Sequence, residues 1–280
     1  MQSQRKIFIR ICWALLFGLG LVWTAPAWAE KIVIFGDSQL NEPAQRRVAA
    51  AVIREQPEIV FRVGDLVDDG DDPAQWALFR EINAPLIKTT EYYPCLGNHE
   101  YDSPLYFEQF PFLKGRRWYS VDRAGIHFTI LDSNSPLSLD SDQYQWLKWD
   151  LGGTREGVRY KIVIFHHPLF NVGERHAPDE KNIRYVLLPL FEKYGVDAVF
   201  NGHEHNYQRL EYEGIIFIIT GGGGAQLSGQ ARGVPYLKKF KKAYHFCIMT
   251  PGNNGIRIRV RDVDQNLIDE FLIGDDRSRP

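Results

Sequence analysis

The sequence has little cysteine and therefore few thiol groups for metal binding or crosslinking. It contains three cysteines, and Cys12 lies within an apolar run near the N-terminus. The other two, Cys95 and Cys247, lie inside apolar, strand-like segments. An oxidising location would permit a disulfide between them, and two buried free thiols are an equal alternative.

The chain also lacks an excess of positive charge. Its 33 Lys and Arg residues against 35 Asp and Glu residues give a formal net charge of -2. The first 29 residues hold three of the basic residues and no acidic one, so the remainder carries 30 against 35, or -5. A mildly acidic protein offers no electrostatic support for binding nucleic acid, and we expect no nucleic-acid partner.

The N-terminal 29 residues have the pattern of an export signal. Three basic residues open the chain, an apolar run covers 11–23, and Ala27-Trp28-Ala29 has the small-x-small pattern of a cleavage site. The run is short for a membrane span, which needs about 20 residues, so an uncleaved anchor is the less favoured alternative. We therefore expect a signal peptide at 1–29, a secreted or periplasmic protein, and no stable membrane anchor after cleavage.

The rest of the sequence alternates between apolar runs and helical patterns. Continuous apolar runs such as 58–63 and 160–165 are separated by helical segments such as 43–56, 73–82 and 182–194. This alternation predicts an α/β fold whose strands are buried on both faces. The end of the chain, 243–272, reads as consecutive strands and adds an antiparallel portion. Because internal repeats, low-complexity tracts and linkers are absent, we predict one domain over residues 30–280.

Polar residues with metal-ligating side chains gather just after the apolar runs. In open α/β sheets the carboxyl ends of the strands are where ligands bind. Each residue taken singly is explained as a helix cap, a turn residue or a structural histidine, but six of them after five strands are hard to explain independently. Oxygen ligands mixed with imidazoles, without a thiolate, favour Mn, Fe or Zn over a structural zinc site. The six residues are Asp37, Asp65, Asn98, His166, His203 and His205.

Together these residues form a recognisable series of motifs. The series resembles the calcineurin-like metallophosphoesterase family, and the segment 202–209 resembles its purple acid phosphatase-like branch. The resemblance covers residues 32 to about 224 with all blocks in order. A Gly-Asp pair is common, whereas Gly-Asn-His-Glu together with Gly-His-x-His is specific. The blocks are Gly36-Asp37-x-Gln39, Gly64-Asp65-Leu66-x-Asp68, Gly97-Asn98-His99-Glu100, His166-x-Pro168 and Gly202-His203-x-His205.

The resemblance implies a fold and a pair of metal ions. The fold would be a four-layer α/β/β/α sandwich, in which two mixed β-sheets are flanked by helices. The cofactors would be two divalent or mixed-valence ions of Fe, Mn or Zn. By resemblance, Asp65 would bridge the two ions and Asp37 and His205 would bind the first. The second ion would be bound by Asn98, His166 and His203.

The resemblance also implies an activity, a metal-dependent hydrolysis of small-molecule phosphate esters by attack of a metal-bridging hydroxide. Asp65 would act in catalysis by holding both ions, His99 would protonate the leaving oxygen, and His176 would contact the substrate. Arg209 is a further candidate for binding the phosphate, and Asp68 or a carboxylate such as Glu100 is expected to orient an imidazole. An acid-phosphatase-like phosphomonoesterase is the leading expectation. The alternatives are a phosphodiesterase or nucleotidase and, more remotely, a metal-binding protein of the cell envelope without turnover.

Two residues depart from the family pattern near the first ion. Gln39 stands where most of the family has a histidine, and Asp68 stands where purple acid phosphatases have a tyrosine ligand. Gln39 could bind the ion through its amide oxygen, Asp68 could replace it, or a water could fill the position. An amide oxygen is a neutral and weaker ligand than an imidazole. The sequence therefore predicts Gln39 as a candidate ligand and leaves Asp68 and water as alternatives.

Overall fold

The computed structural model describes residues 30–274. The predicted signal peptide lies outside the described residues, and the single domain stays a prediction. The strands are β1 (Ile32–Phe35), β2 (Ile59–Arg62), β3 (Glu91–Pro94), β4 (Tyr119–Arg123), β5 (Ile126–Ile130), β6 (Tyr160–Ile164), β7 (Ala198–Asn201), β8 (Tyr207–Tyr212), β9 (Ile215–Thr220), β10 (Leu237–Lys241), β11 (His245–Gly252), β12 (Gly255–Asp262) and β13 (Leu267–Ile273). The helices are α1 (Glu42–Glu55), α2 (Pro73–Thr89), α3 (Pro104–Gln109), α4 (Asp142–Gly152) and α5 (Arg184–Tyr194), with a 3-10 turn at Pro111–Leu113.

These strands form two mixed sheets. A six-stranded sheet has the order β13-β12-β11-β1-β2-β3, and a seven-stranded sheet has the order β10-β8-β9-β7-β6-β5-β4. In the first, β1, β2 and β3 are parallel, and in the second, β5, β6, β7 and β9 are parallel. The remaining pairs are antiparallel, as in the β11–β12–β13 meander. The predicted antiparallel portion at the end of the chain is confirmed.

The alternation of side chains along the strands produces the layers. In β6, Ile162 and Ile164 belong to the core between the two sheets, whereas Val163 belongs to the core under α4 and α5. Successive strand residues point to opposite faces, so a strand covered on both faces must be apolar throughout. Across the first core, the rings of Phe61 and Phe128 stack with centroids 4.3 Å apart. The four-layer α/β/β/α sandwich that the resemblance implied is confirmed.

A buried arginine joins three neighbouring strands of the six-stranded sheet. The guanidinium of Arg62, at the end of β2, donates to the carbonyl oxygen of Phe35 on β1 at 3.1 Å and to the Tyr92 hydroxyl on β3 at 2.7 Å. It also donates to the Ser38 hydroxyl at 2.7 Å. Ser38 follows Asp37 directly, so this network fixes the turn that carries the first candidate ligand.

The predicted boundaries hold for the strongly patterned elements and fail elsewhere. The helix predicted at 73–82 continues to Thr89 although Pro85 lies inside it. The elements β4, β8, β10, α3 and α4 were not predicted. Strands β4 and β10 are partly exposed, so they lack the continuous apolar run by which a buried strand is recognised. Cys95 and Cys247 are both free and buried, and among residues 30–274 no helix is long and apolar enough to cross a membrane.

A buried carboxylate holds α4 against the seven-stranded sheet and gives a prediction about stability. Asp150 is fully buried and accepts hydrogen bonds from His127 at 2.9 Å and from the Ser120 hydroxyl at 2.7 Å. Burial alone would raise the pKa of Asp150, but the bonds from His127 and Ser120 lower it below the ordinary value. Because the folded-state pKa is depressed, this stabilisation is present above about pH 4 and is lost as the pH falls through that pKa.

We expect Asp150→Asn to lower the free energy of unfolding by about 2–4 kcal/mol near pH 7 and to flatten its decrease in acid. Urea unfolding at several pH values measures both effects. The matched control is Asp264→Asn, since Asp264 is an exposed carboxylate paired with Arg47. Equal stabilities of the two variants at neutral pH would contradict the role given to Asp150.

Candidate metal centre

The first candidate ligands lie in sharp turns directly after their strands. Asp37, Asp65 and His203 follow β1, β2 and β7, and all three have positive φ angles of 59°, 51° and 70°. Non-glycine residues adopt this conformation rarely, and such residues cluster at functional sites. The turns direct these side chains from both sheets toward one shared edge.

One group of ligand atoms brings together an amide and two imidazoles. The Oδ1 atom of Asn98 lies 3.0 Å from Nε2 of His166 and 3.0 Å from Nδ1 of His203. The two ring nitrogens are 3.2 Å apart. These are the three residues that the resemblance assigns to the second metal, and the structure brings them together.

A second group contains Asp37, Asp65 and His205, whose ligand atoms all lie within 4.8 Å of one another. Nε2 of His205 is 3.7 Å from Oδ1 of Asp37. The Gln39 amide belongs to this group, because its Nε2 is 3.2 Å from Oδ2 of Asp65 and 3.4 Å from Nε2 of His205. Oδ2 of Asp65 also lies 3.2 Å from Nε2 of His166. Asp65 is therefore the residue shared by the two groups, as a bridging ligand must be.

The far nitrogen of each imidazole is already engaged. Nδ1 of His166 lies 2.8 Å from the carbonyl oxygen of Val63, and Nδ1 of His205 lies 3.0 Å from that of Gln226. Nε2 of His203 lies 3.1 Å from the Glu180 carboxylate. When a histidine donates from one nitrogen, the other presents a lone pair, and this is how protein histidines are oriented toward metals.

The residues therefore fit a pair of cations. When the far nitrogens of His166 and His203 donate, their near nitrogens can present lone pairs among the carboxylate and amide oxygens. A bound cation would displace the proton that the raised pKa of His166 places near Asp65. Two further atoms support this arrangement: Oδ2 of Asp37 and Oε1 of Gln39 are buried without a hydrogen-bond partner. A 180° rotation of the Gln39 amide would turn its oxygen toward Asp65 and His205. Buried polar atoms without partners are costly, and a bound cation would satisfy them.

Burial and neighbouring charges shift the pKa values of these groups. Burial raises the pKa of Asp37 well above its ordinary value. Burial opposes charge on both Asp65 and His166, but their mutual attraction lowers the pKa of Asp65 and raises that of His166. Burial, with Arg175 nearby, lowers the pKa of His205 to about 4. His205 is therefore neutral near pH 7, which is the form that binds a metal.

Backbone close packing holds the Asp65 carboxylate in place. The backbone N–H of His99 donates to Oδ1 of Asp65 at 3.0 Å. A Cβ added to Gly97 would lie 2.2 Å from the same oxygen. A Cβ added to Gly64, whose φ is 92°, would lie 2.7 Å from Nδ1 of His166. The glycines of the Gly-Asp and Gly-Asn motifs are therefore needed for the close approach of the ligands.

The two other predicted catalytic residues border the ligand groups. Nδ1 of His99 lies 2.8 Å from the carbonyl oxygen of Asp68, and its Nε2 lies 3.9 Å from Oδ2 of Asp65. The ring of His176 contacts that of His203, with centroids 3.7 Å apart and the ring planes tilted by 33°. His99 thus lies beside Asp65, and His176 lies beside His203.

Sequence reasoning missed three residues around the site and misjudged two others. Glu180 bonds both His176 and His203, and the exposed Arg175 places Nη1 2.9 Å from Nδ1 of His205. The buried Glu204 is the third. Glu180 and Arg175 follow no strand motif, and Glu204 occupies the unspecified position of the Gly-His-x-His motif, so pattern alone carried no signal for the three. Arg209, considered as a phosphate-binding cation, is paired with Asp269 and Glu211 instead. Glu100, considered as a partner of an imidazole, binds backbone N–H groups.

Two mixed sheets with two groups of candidate metal ligands at a common edge have the arrangement of a candidate dinuclear metal site. The sequence model of the family described as calcineurin-like phosphoesterase matches residues 30–207. This match covers more than half of the chain, and the chain belongs to the calcineurin-like phosphoesterase family. The family membership that the motifs predicted is confirmed.

Relatives place the similarity in the purple acid phosphatase branch. Purple acid phosphatase 18 of Arabidopsis thaliana is 32% identical over 173 residues, which are 54% of this chain and 40% of the relative. Purple acid phosphatase 22 of the same plant is 31% identical over 219 residues, 69% of this chain and 50% of the relative. The structure of purple acid phosphatase PPD1 from yellow lupin seeds matches with a TM-score of 0.79 and 22% identity, over 87% of this chain and 53% of that one. The chain thus spans about half the length of these relatives, or less.

The close contact at Gly97 leads to a prediction about metal binding. We expect Gly97→Ala to displace the Asp65 carboxylate and to weaken metal binding at least tenfold, about 1.4 kcal/mol or more. Calorimetric titration of chelator-treated protein with Mn²⁺ measures the affinity, and thermal unfolding shows whether the variant is folded. The control is Gly233→Ala, because a Cβ at Gly233 meets no atom within 4 Å. Unchanged affinity in a folded Gly97→Ala protein would refute the assignment of Asp65.

Proposed function

We propose that this protein is a metal-dependent phosphoesterase that acts chiefly on phosphomonoesters. One observation carries the proposal: two groups of ligand atoms, sharing Asp65, converge from both sheets with His99 and His176 beside them. We propose as the ligands the seven residues predicted from the sequence, with Asp65 common to both ions. The family membership and the purple acid phosphatase relatives support the same reaction class.

The ions and the protein would divide the chemistry. When bound, two cations would activate a water and neutralise charge on the phosphoryl oxygens. The chain itself would orient the ester and supply a proton. Asp65 and Asn98 would hold the centre rigid, since both lie in buried or half-buried turns fixed by the strands behind them.

His99 is placed to give a proton to the leaving oxygen. Its Nδ1 is engaged by the Asp68 carbonyl oxygen at 2.8 Å, and the Asp68 carboxylate lies 3.3 Å away. Nε2 is therefore the nitrogen that faces Asp65 and the site. The side chain is about a quarter exposed, with 28% of its area accessible, so a substrate can reach it. A positioned proton donor contributes about 10²–10⁴-fold to the rate.

Two donor groups beside His203 and His205 favour a monoester substrate. A phosphomonoester dianion needs positive charge or hydrogen-bond donors around it, and the Arg175 guanidinium and the His176 imidazole supply them beside His203 and His205. A phosphodiester has one charge fewer and would gain less from Arg175. A phosphodiesterase or nucleotidase activity is the alternative that the substrate test separates.

The proposal is tested by restoring metal to stripped protein. We expect protein depleted by a chelator to be inactive, and Mn, Fe or Zn added singly or in pairs to restore hydrolysis of nitrophenyl phosphate. Faster hydrolysis of bis-nitrophenyl phosphate than of the monoester would select the diesterase alternative. Absence of turnover with every metal, while calorimetry detects metal binding, would contradict the proposal and favour a binding role.

The leaving-group dependence tests His99 separately. We expect His99→Asn to lower turnover of an alkyl phosphate by about 10²-fold or more. The same change should affect nitrophenyl phosphate much less, because nitrophenolate leaves without a proton. Each substrate serves as the control for the other in steady-state assays of one preparation. Equal losses on both would remove His99 from the role of proton donor.

Export is part of the proposal and rests on the N-terminal pattern. A secreted or periplasmic location suits an enzyme that releases phosphate from small esters outside the cytoplasm. The N-terminal sequence of the protein recovered from a host cell envelope tests it, and we expect the mature chain to begin at Glu30.

A further inference from the structure

The residue between the two metal-site histidines, Glu204, is buried and has not been given a role. It lies in the Gly-His-Glu-His turn with none of its surface accessible. A carboxylate buried completely must be hydrogen-bonded or it destabilises the fold strongly. Its partners therefore show what it does.

Four donors surround the Glu204 carboxylate. Oε2 accepts from the Asn171 side-chain amide at 2.9 Å and from the backbone N–H of His176 at 3.2 Å. Oε1 accepts from the backbone N–H of Arg175 at 3.4 Å and, at very short range, from the Ser228 hydroxyl. Two carboxylate oxygens offer about four acceptor positions, and four donors occupy them. Glu204 is thus committed to these partners and is not free to act as a base or a metal ligand.

The donors belong to the loop that carries Arg175 and His176. At Gly173 this loop packs directly on the carboxylate, because an added Cβ would lie 2.2 Å from Cδ of Glu204. Asn171 reinforces the arrangement by donating also to the carbonyl oxygen of His176 at 3.1 Å. The position of the loop is therefore set by the side chain of Glu204, which lies between His203 and His205 in the sequence.

We propose that Glu204 is a positioning residue that fixes the loop of Arg175 and His176 against His203 and His205. The inference rests on the proposed function, since it assigns the phosphate to these two residues. One carboxylate couples the turn that presents two ligands to the loop that presents two phosphate-binding groups. Motion of the loop relative to the ligands is thereby restricted, which is the requirement for a preorganised site.

The coupling predicts that Glu204 acts on phosphate affinity through the loop. With metal-loaded protein, we expect Glu204→Ala to raise the Kd for inorganic phosphate about tenfold, and His176→Ala to raise it by a similar factor. The double variant should be little worse than either single variant, because residues acting as one unit are non-additive. The Kd for metal should stay unchanged in all three. Calorimetry measures both constants.

A conservative variant separates positioning from packing. In Glu204→Gln the amide oxygen can still accept from Asn171 and His176. The amide nitrogen can donate to the Ser228 hydroxyl, so only the 3.4 Å bond from the backbone N–H of Arg175 is lost. We expect this variant to keep phosphate affinity within about threefold of the wild type, which is the uncertainty of such hydrogen-bond energies. If Glu204→Ala fails to fold, Glu204→Gln takes its place in the double variant with His176→Ala, and that double variant tests the proposal.

The matched control is Glu211→Ala, which removes an exposed carboxylate of β8 that is paired with Arg209. Additive losses of phosphate affinity in the double variant, or weakened metal binding in Glu204→Ala, would overturn the inference. So would wild-type phosphate affinity in folded Glu204→Ala. These outcomes are distinct from failure of the proposed function, which would show as phosphate and metal binding without hydrolysis of any ester.

Discussion

The hydrogen bonds accepted by Glu100 are the interaction on which the rest of the site depends. This buried carboxylate accepts from the backbone N–H groups of Asp65 at 3.0 Å, Leu66 at 2.6 Å and Gly97 at 2.6 Å. It thereby joins the turn after β2 to the turn after β3. The first turn carries Asp65, which both ligand groups share, and the second carries Asn98, which belongs to one group. The Glu100 side chain therefore sets the distance between these two residues. Three N–H groups stabilise the negative charge that burial opposes.

The centre also depends on the sandwich, because its ligands come from both sheets. Asp37, Asp65 and Asn98 follow strands of the six-stranded sheet, whereas His166 and His203 follow strands of the seven-stranded sheet. The backbone N–H of His203 donates to Oδ1 of Asp37 at 2.7 Å, directly across the interface. The apolar core between the sheets fixes their separation, and closely packed cores resist small shifts. The packing interactions that order the site are therefore distributed over the apolar core between the two sheets.

Part of the fold and of the candidate site could be predicted from the sequence, and part could not. The buried parallel strands and the candidate ligands that follow them were predicted, because both leave local signals. These signals are continuous apolar runs and the Gly-Asp or Gly-Asn pairs at their ends. Glu180 left no such signal, and Glu204 lies in a motif that specifies only its two histidines. The partners of both residues belong to loops that meet only in the folded chain. Arg209 was misjudged for the same reason. Its sequence neighbours suggested the site, but β8 directs its side chain toward Asp269 on β13.

The departures at Gln39 and Asp68 now receive a physical account. The Asp68 carboxylate lies 3.3 Å from Nδ1 of His99, and the Gln39 amide faces Asp65 and His205. Of the three alternatives left by the sequence, we propose Gln39 as the ligand, because its amide lies at the first ligand group whereas the Asp68 carboxylate lies beside His99. Both residues line a cavity of about 270 Å³. An amide oxygen is neutral, so a Gln39 ligand would leave more positive charge on that ion than a tyrosinate would. The Asp68 carboxylate, at the position of that tyrosine, lies beside Nδ1 of His99 instead. The departure at Gln39 therefore concerns the ion, and the departure at Asp68 concerns the candidate proton donor.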